Sequence, residues 1–263
     1  VSLNFITNKV NVKVTGRVAT IEMNRPESLN AMDTEMIRGL VCKLKEISES
    51  DEIDIVVLTG KGRGFSAGGD IKTMFSNSSE SDFYPVMDSI SELIVTLYSM
   101  PKLTISAVTG PAAGLGFSLA LATDHIISDK NSKLAMNFIG IGLIPDGGAH
   151  FFLEKKLGET KAKQLIWDGK MMDADEALKL GLIEEVAAVN LQETLDARIS
   201  DWLRRPVQAM IKTKKILADM NRPYLLKILE LEKHSQQKMR ETIDHQEGIR
   251  AFIEKRPPRF IGK

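Results

Sequence analysis

Two stretches of small residues carry the first hint of chemistry: Ser66-Ala67-Gly68-Gly69-Asp70 and Pro111-Ala112-Ala113-Gly114-Leu115-Gly116. Each follows an apolar, β-rich run of the kind that forms buried strands, Ile55–Thr59 and Leu103–Val108. Small residues let the backbone approach a ligand closely. The N–H groups that open a helix have no partner within it, and the helix dipole makes that end electropositive. Two such loops on neighbouring strands are able to aim two N–H groups at one carbonyl oxygen, forming an oxyanion hole. The same spacing also suits glycines that only make tight βα turns.

Other catalytic patterns fit poorly. Gly64-Phe65-Ser66-Ala67-Gly68 matches the Gly-x-Ser-x-Gly elbow of serine hydrolases. That elbow needs a strand running straight into the serine and a helix leaving at once. Here Gly60-Lys61-Gly62-Arg63-Gly64 intervenes, and Gly68-Gly69 follows. Gly114-Leu115-Gly116 is a lone Gly-x-Gly, with Leu119 where a dinucleotide fingerprint needs its third glycine. No P-loop occurs. The four histidines, His125, His150, His234 and His245, lack metal-ligand spacing, so no metal site is expected.

The elements that must position the loops read as an α/β chain. Its 263 residues suit one large domain, or one with a small appendage. An apolar content of 43% and a charged content of 27% exclude a disordered or fibrous protein. Lys+Arg and Asp+Glu are both 35, so neither a nucleic acid nor a membrane surface is an expected partner. No apolar run is long enough to span a bilayer, and the N-terminus shows no secretory pattern. The single cysteine, Cys42, excludes a disulfide within the chain and suits a cytoplasmic location.

Val10–Val14 and Val18–Met23 read as strands around Thr15-Gly16-Arg17. Asp33 reads as the N-cap of a helix to about Ser48, where Cys42 packs as a small apolar residue. Phe83–Tyr98 reads as a helix, Gly114–Thr123 as a loop entering a helix, and His125–Ser128 as a strand. The repeated βα alternation argues for parallel strands. From about Gly158 the pattern turns helical: Glu159–Trp167, Ala174–Leu180, Leu191–Trp202, Pro206–Met220 and Leu225 to about Glu254. The polar stretch Ser76–Asp82 is expected to be a mobile loop. Basic Lys212–Lys215 is expected to be a solvated helix face, with a phosphate contact as the alternative.

Four ordered motifs resemble the enoyl-CoA hydratase/isomerase (crotonase) family. They are Arg25-Pro26 to Leu29-Asn30-Ala31, Gly64 to Asp70, Gly110-Pro111-Ala112-Ala113-Gly114 and Gly142-Leu143-Ile144-Pro145-Asp146-Gly147-Gly148. The C-terminal run Glu247–Arg256 extends the likeness over essentially the whole chain. The resemblance implies a spiral of ββα units over residues 1–190 and a helical trimerisation region over residues 191–263. It also implies an acyl-CoA thioester substrate, with coenzyme A as part of the substrate and no separate cofactor, and a homotrimer or hexamer. On the same resemblance, the N–H groups of Gly69 and Leu115 hold the thioester oxygen. Ser66, Ala67, Gly68, Asp70, Ile71 and Lys72 line the CoA path, with Ala113 and Gly114 facing them. Phe252 and Lys255 reach CoA bound to a neighbouring subunit.

The family's hydratases use two glutamates to handle water. Matched outward from the glycine motifs, those positions hold Ser118 and Phe138, neither of which is a carboxylate. Asp146 offers one, at a position like that of the lone acid in the family's double-bond isomerases. One carboxylate suffices to remove a proton alpha to a thioester and return it at the gamma carbon. Phe138, Ile139, Leu143 and Ile144 are expected to desolvate it and raise its pKa. The alternative is that Asp146 caps the helix that follows. Asn137 is either a polar neighbour of the site or a buried residue serving local backbone. His150, four residues after Asp146, either tunes it or is simply half-exposed. The expected activity is therefore a 3-enoyl-CoA to 2-enoyl-CoA isomerase. A hydratase with a rearranged site and a catalytically silent acyl-CoA-binding subunit are the alternatives.

Overall fold

A computed structural model describes residues 7–70 and 80–263. Val10–Thr15 (β1) and Val18–Met23 (β2) form an antiparallel hairpin whose turn needs Gly16 at φ +55°. Asp33 accepts the Met36 N–H and starts Thr34–Glu49 (α1). Ile55–Gly60 (β3), Glu80–Ser99 (α2), Leu103–Val108 (β4), Pro111–Ala113 (β5) and Leu115–Leu121 (α3) follow. Then come His125–Ser128 (β6), Lys133–Ala135 (β7), Ala149–Leu157 (α4), Glu159–Asp168 (α5), Met171–Asp173 (β8), Ala174–Leu180 (α6) and Glu185–Val186 (β9). The chain ends in Leu191–Leu203 (α7), Val207–Arg240 (α8) and Ile243–Glu254 (α9).

One sheet has six strands in the order β1-β2-β3-β4-β6-β9, parallel from β2 onward; a second has three, β5-β7-β8. The apolar run of β3 and the complete burial of β4, Thr104 and Ser106 included, are explained by two cores. Val56 and Leu58 face Met36, Leu40, Leu93 and Leu97 in the main core. Ile55, Val57, Ile105 and Ala107 face Leu195, Val207 and Ile211 in the other. A strand buried on both faces has no polar side to alternate with. Among the described residues no helix is long and apolar enough to cross a membrane.

Two expectations change. The segments Pro206–Met220 and Leu225 to about Glu254 are redivided: α8 runs through Pro223, and the break falls at Glu241-Thr242. Leu225 and Leu229, buried in the main core, hold the helix past the proline. Thr242 accepts the His245 N–H and starts α9 afresh. Lys212–Lys215 is not wholly a solvated face either. Lys214 is half-buried and donates to the Lys102 carbonyl and to Asp124 Oδ2, each at 2.8 Å, tying α8 to the sheet. The expected mobile stretch falls partly outside the described residues, and its end, from Glu80, belongs to α2.

The Arg25–Met32 turn staples the first glycine loop. Asn30 is fully buried at φ +55°, a left-handed conformation that asparagine tolerates. Its amide donates to Gly64 O at 2.7 Å and Lys61 O at 3.1 Å, and Oδ1 accepts the Arg25 N–H at 2.8 Å. Its own carbonyl accepts the Ser66 hydroxyl at 2.8 Å. Replacing Asn30 by Ala strands these buried groups and should cost about 1–3 kcal/mol in denaturant unfolding. A loss below about 0.5 kcal/mol, typical of an innocuous surface change, would show that the staple is dispensable.

Candidate active site

Residues Phe65–Asp70 run between two backbones, extended except at Gly68, whose φ is +101°. On one side, Ala67 N–H donates to Leu29 O, Met32 N–H to Gly68 O, and Asp70 N–H to Met32 O. On the other side, Phe65 N–H donates to Thr109 O, Ser66 N–H to Pro111 O, and Ala113 N–H to Ser66 O. Backbone groups alternate along an extended segment. With Gly68 O and Asp70 N–H turned to Met32, the Gly69 N–H faces the opposite way, and it donates to no group among the described residues. The second loop closes on the first. A methyl on Gly116 would lie 2.6 Å from Ser66 O, and one on Gly68 would lie 2.7 Å from Ala113 O and 3.5 Å from Leu115 N. Gly114, at φ +52°, starts α3 with no side-chain cap. The Leu115 N–H likewise has no acceptor among the described residues. Two free backbone donors are thus left on adjoining loops.

Asp146 is brought to the same helix. Ser118, on α3, donates its hydroxyl to the Asp146 carbonyl at 2.8 Å. Gly147 and Gly148 follow at φ +65° and +74°, turning the chain into α4. A side chain at Gly147 would strike Leu115 Cδ1 at 2.7 Å, so the turn packs directly on the start of α3. The Asp146 side chain does not cap α4; the capping position is Gly148. Instead Glu232, from α8, accepts the Gly148 N–H at 2.7 Å, the His150 N–H at 3.2 Å, and a contact from His150 Nδ1 at 2.7 Å. Among the described residues the Asp146 side chain receives only Gln236 Nε2, at 3.3 Å on Oδ2. Its Oδ1 is buried without a partner among the described residues. Burial, reinforced by the nearby Glu232 carboxylate, pushes the Asp146 carboxyl up from 3.8 to about 7; Gln236 and His150 oppose the rise.

The structure brings Gly69, Leu115, Ser118 and Asp146 to one end of α3, with Ser66, Gly68, Ala113 and Gly114 around them. The backbone around Ala67, Gly69, Ala113 and Gly114 is at least partly open to solvent, as a ligand requires. Phe138 is half-buried, its ring 3.5 Å from where a Gly114 side chain would begin. The other expected site residues lie as follows. Ser66 and Ser118 are buried, with hydroxyls committed to backbone carbonyls. The Asp70 carboxylate pairs with Arg25 at 2.9 Å, so the aspartate holds the loop. Asn137 is exposed, not buried, because the turn Asn137–Ile141 lies at the surface. Ile139 is 37% exposed, so it contributes little to desolvating Asp146. Phe252 is 59% exposed on α9, and Lys255 is exposed beyond its end. Ile71 and Lys72 lie outside the described residues.

Sequence reasoning missed Glu232 and Gln236. Their only signal is polarity in the wrong place: Leu225, Leu229, Glu232 and Gln236 share the buried stripe of α8. Buried polar residues on such a stripe are there to meet a polar partner.

A profile of the enoyl-CoA hydratase/isomerase family matches residues 13–263. YhaR of Bacillus subtilis, named for the same hydratase/isomerase activities, is 48% identical over 245 residues, covering 93% of this chain and 96% of that one. The 1,2-epoxyphenylacetyl-CoA isomerase of Escherichia coli is 33% identical over 250 residues, 94% of this chain and 95% of that one. The crystal structure of an enoyl-CoA hydratase from Mycobacterium avium subsp. paratuberculosis superposes with a TM-score of 0.88 at 29% identity, covering 97% of this chain and 100% of that one. Fold, motifs and sequence agree over nearly the full length: the chain belongs to the enoyl-CoA hydratase/isomerase family and has the crotonase fold.

Proposed function

We propose that this enzyme moves the double bond of a 3-enoyl-CoA to the 2,3 position, with Asp146 as its single acid/base. The observation that carries this reading is the Asp146 carboxyl: buried, uncapped, with Oδ1 unpartnered and a pKa near 7. The thioester oxygen accepts the Gly69 and Leu115 N–H groups. Ionised Asp146 removes a proton from the alpha carbon, and the electron pair is delocalised onto that oxygen as an enolate. Asp146 then returns the proton at the gamma carbon, leaving a 2,3 double bond and the carboxylate restored. Coenzyme A enters as part of the substrate, and no separate cofactor takes part.

Two features favour isomerisation over hydration. Ser118 and Phe138 stand where the family's hydratases place glutamates. The second carboxylate nearby, Glu232, is occupied by the α4 amides and His150 and so is poorly placed to activate water. Relatives are named both ways: the Escherichia coli relative and the trans-2-decenoyl-acyl-carrier-protein isomerase of Streptococcus mutans, 29% identical, as isomerases, and those of Rhodobacter capsulatus and Thermus thermophilus as hydratases. The assembly we propose is a homotrimer or hexamer, in which Phe252 and Lys255 reach a neighbour's CoA. Ile216, Met220, Leu231, Phe252 and Ile253 on α8 and α9 are more than half exposed, an apolar surface that oligomerisation would cover.

Asp146→Asn should lower 3-enoyl-CoA isomerisation roughly 10²–10⁴-fold, with acyl-CoA affinity retained; Ser118→Ala should cost far less. The unmodified enzyme should lose kcat/KM as pH falls below about 7, where Asp146 takes up its proton. It should hydrate 2-enoyl-CoA only slowly. Isomerisation that survives Asp146→Asn, or rapid hydration, overturns the reading.

The same carboxyl makes a stability prediction. Its folded-state pKa, about 7, lies above the ordinary 3.8, so the folded protein holds a proton that the unfolded chain has released. Stability is therefore lost as pH rises through that window. Asp146→Asn should gain in thermal unfolding relative to the unmodified protein between pH 4 and 7 and keep that gain above; parallel pH curves would contradict the burial of an ionisable group. Sedimentation should give an oligomer at micromolar concentration, and a monomer would remove the shared-site proposal.

A further inference from the structure

We propose that Glu232, reaching in from α8, is a positioning residue that occupies the α4 amides and so governs how tightly Asp146 holds its proton. Gln236, one turn further along α8, orients the carboxylate. The free N–H groups at a helix start are strong acidifying partners for a nearby carboxylate. Here the Ala149 N–H donates to the Asp146 backbone carbonyl at 3.3 Å, while those of Gly148 and His150 are both taken by Glu232. Gly148 has no side chain with which to cap the helix itself. A carboxylate arriving from 84 residues away does so instead, and it is 3% exposed.

The groups around Asp146 then divide clearly. From α8 come the Glu232 charge and the Gln236 amide, a neutral donor at 3.3 Å. From α4 comes His150, whose Nδ1 lies 2.7 Å from Glu232 Oε1, so its ring partners Glu232 rather than Asp146. α3 supplies the Ser118 hydroxyl to the Asp146 carbonyl and carries no titratable side chain. From α2 it is the Ile94 side chain that meets the turn, at Gly148. On α9, His245 turns its Nδ1 to the Ile141 carbonyl at 2.7 Å. Glu232 is thus the group that both withholds the α4 amides from Asp146 and places a like charge beside it.

This inference rests on the proposed function only in naming Asp146 as the acid/base, and its test reads the proton directly. Infrared difference spectroscopy across a pH titration follows the C=O stretch of a protonated, buried carboxylic acid. The Asp146 band is assigned by its loss in Asp146→Asn. Glu232→Gln keeps an oxygen for the Gly148 N–H but removes the charge, and should move the Asp146 midpoint down by about one pH unit or more. His150→Ala withdraws the ring that shares the Glu232 charge, and should move the midpoint up. A purely structural Glu232 would lower the melting temperature of Glu232→Gln and leave the midpoint in place. An unmoved midpoint in a Glu232→Gln variant with unchanged circular dichroism overturns the proposal. If that variant does not fold, His150→Ala decides: an upward shift supports the proposal, and no shift or a downward one overturns it. Isomerisation persisting in Asp146→Asn would defeat the Asp146 chemistry and leave the midpoint result standing.

Discussion

A helix start needs acceptors for its free N–H groups, whereas a carboxylate that must exchange protons near neutrality needs to be spared such donors. On the proposed mechanism these two demands collide at Asp146, two residues before the Gly148 start of α4. The chain answers them with different residues. Glu232 takes the α4 amides, and Asp146 keeps one oxygen unpartnered in a buried setting. A carboxylate that accepted those amides itself would be acidified by doing so. The cap from α8 lets Asp146 do the opposite.

That solution makes the C-terminal helices part of the site rather than an appendage to it. α8 is held to the sheet by Lys214 on Lys102 O and Asp124, and by Gln208 Nε2 on Asp54 Oδ1 at 3.0 Å. Leu225 and Leu229 belong to the same core as Met36 and Leu58. Anchored at those points, the helix delivers Glu232 and Gln236 to the Asp146 turn. The donor loops are positioned by separate means. Arg25 reaches Asp70, Asn30 reaches Gly64, and Gly116 lets the second loop close against Ser66. Site precision therefore comes from backbone approach on one side and a buried polar helix stripe on the other.

Much of this was legible in the sequence. Local signals mark β1 to β4, α1 and the two glycine loops, because turn glycines, the Asp33 cap and strands buried on both faces are short-range physics. The four motifs point to the family. The short strands β5, β7 and β8 are not legible. Three-residue pairings such as Pro111↔Lys133 exist only because distant segments meet.

What the residues alone determine is which groups are present: the small side chains at Gly68, Gly69, Gly114 and Gly116, and one carboxylate at Asp146. What they leave open is how those groups are used. Asp146 before a helical run reads as a base with a helix cap as the alternative, because the competitor for the α4 amides lies 84 residues beyond Gly148. Tertiary structure decides the matter by placing Glu232 at the helix start, which leaves Asp146 buried, uncapped and short of hydrogen bonds. Its proton affinity depends on burial and on a neighbouring charge, and both are properties of the packed chain rather than of any stretch of sequence.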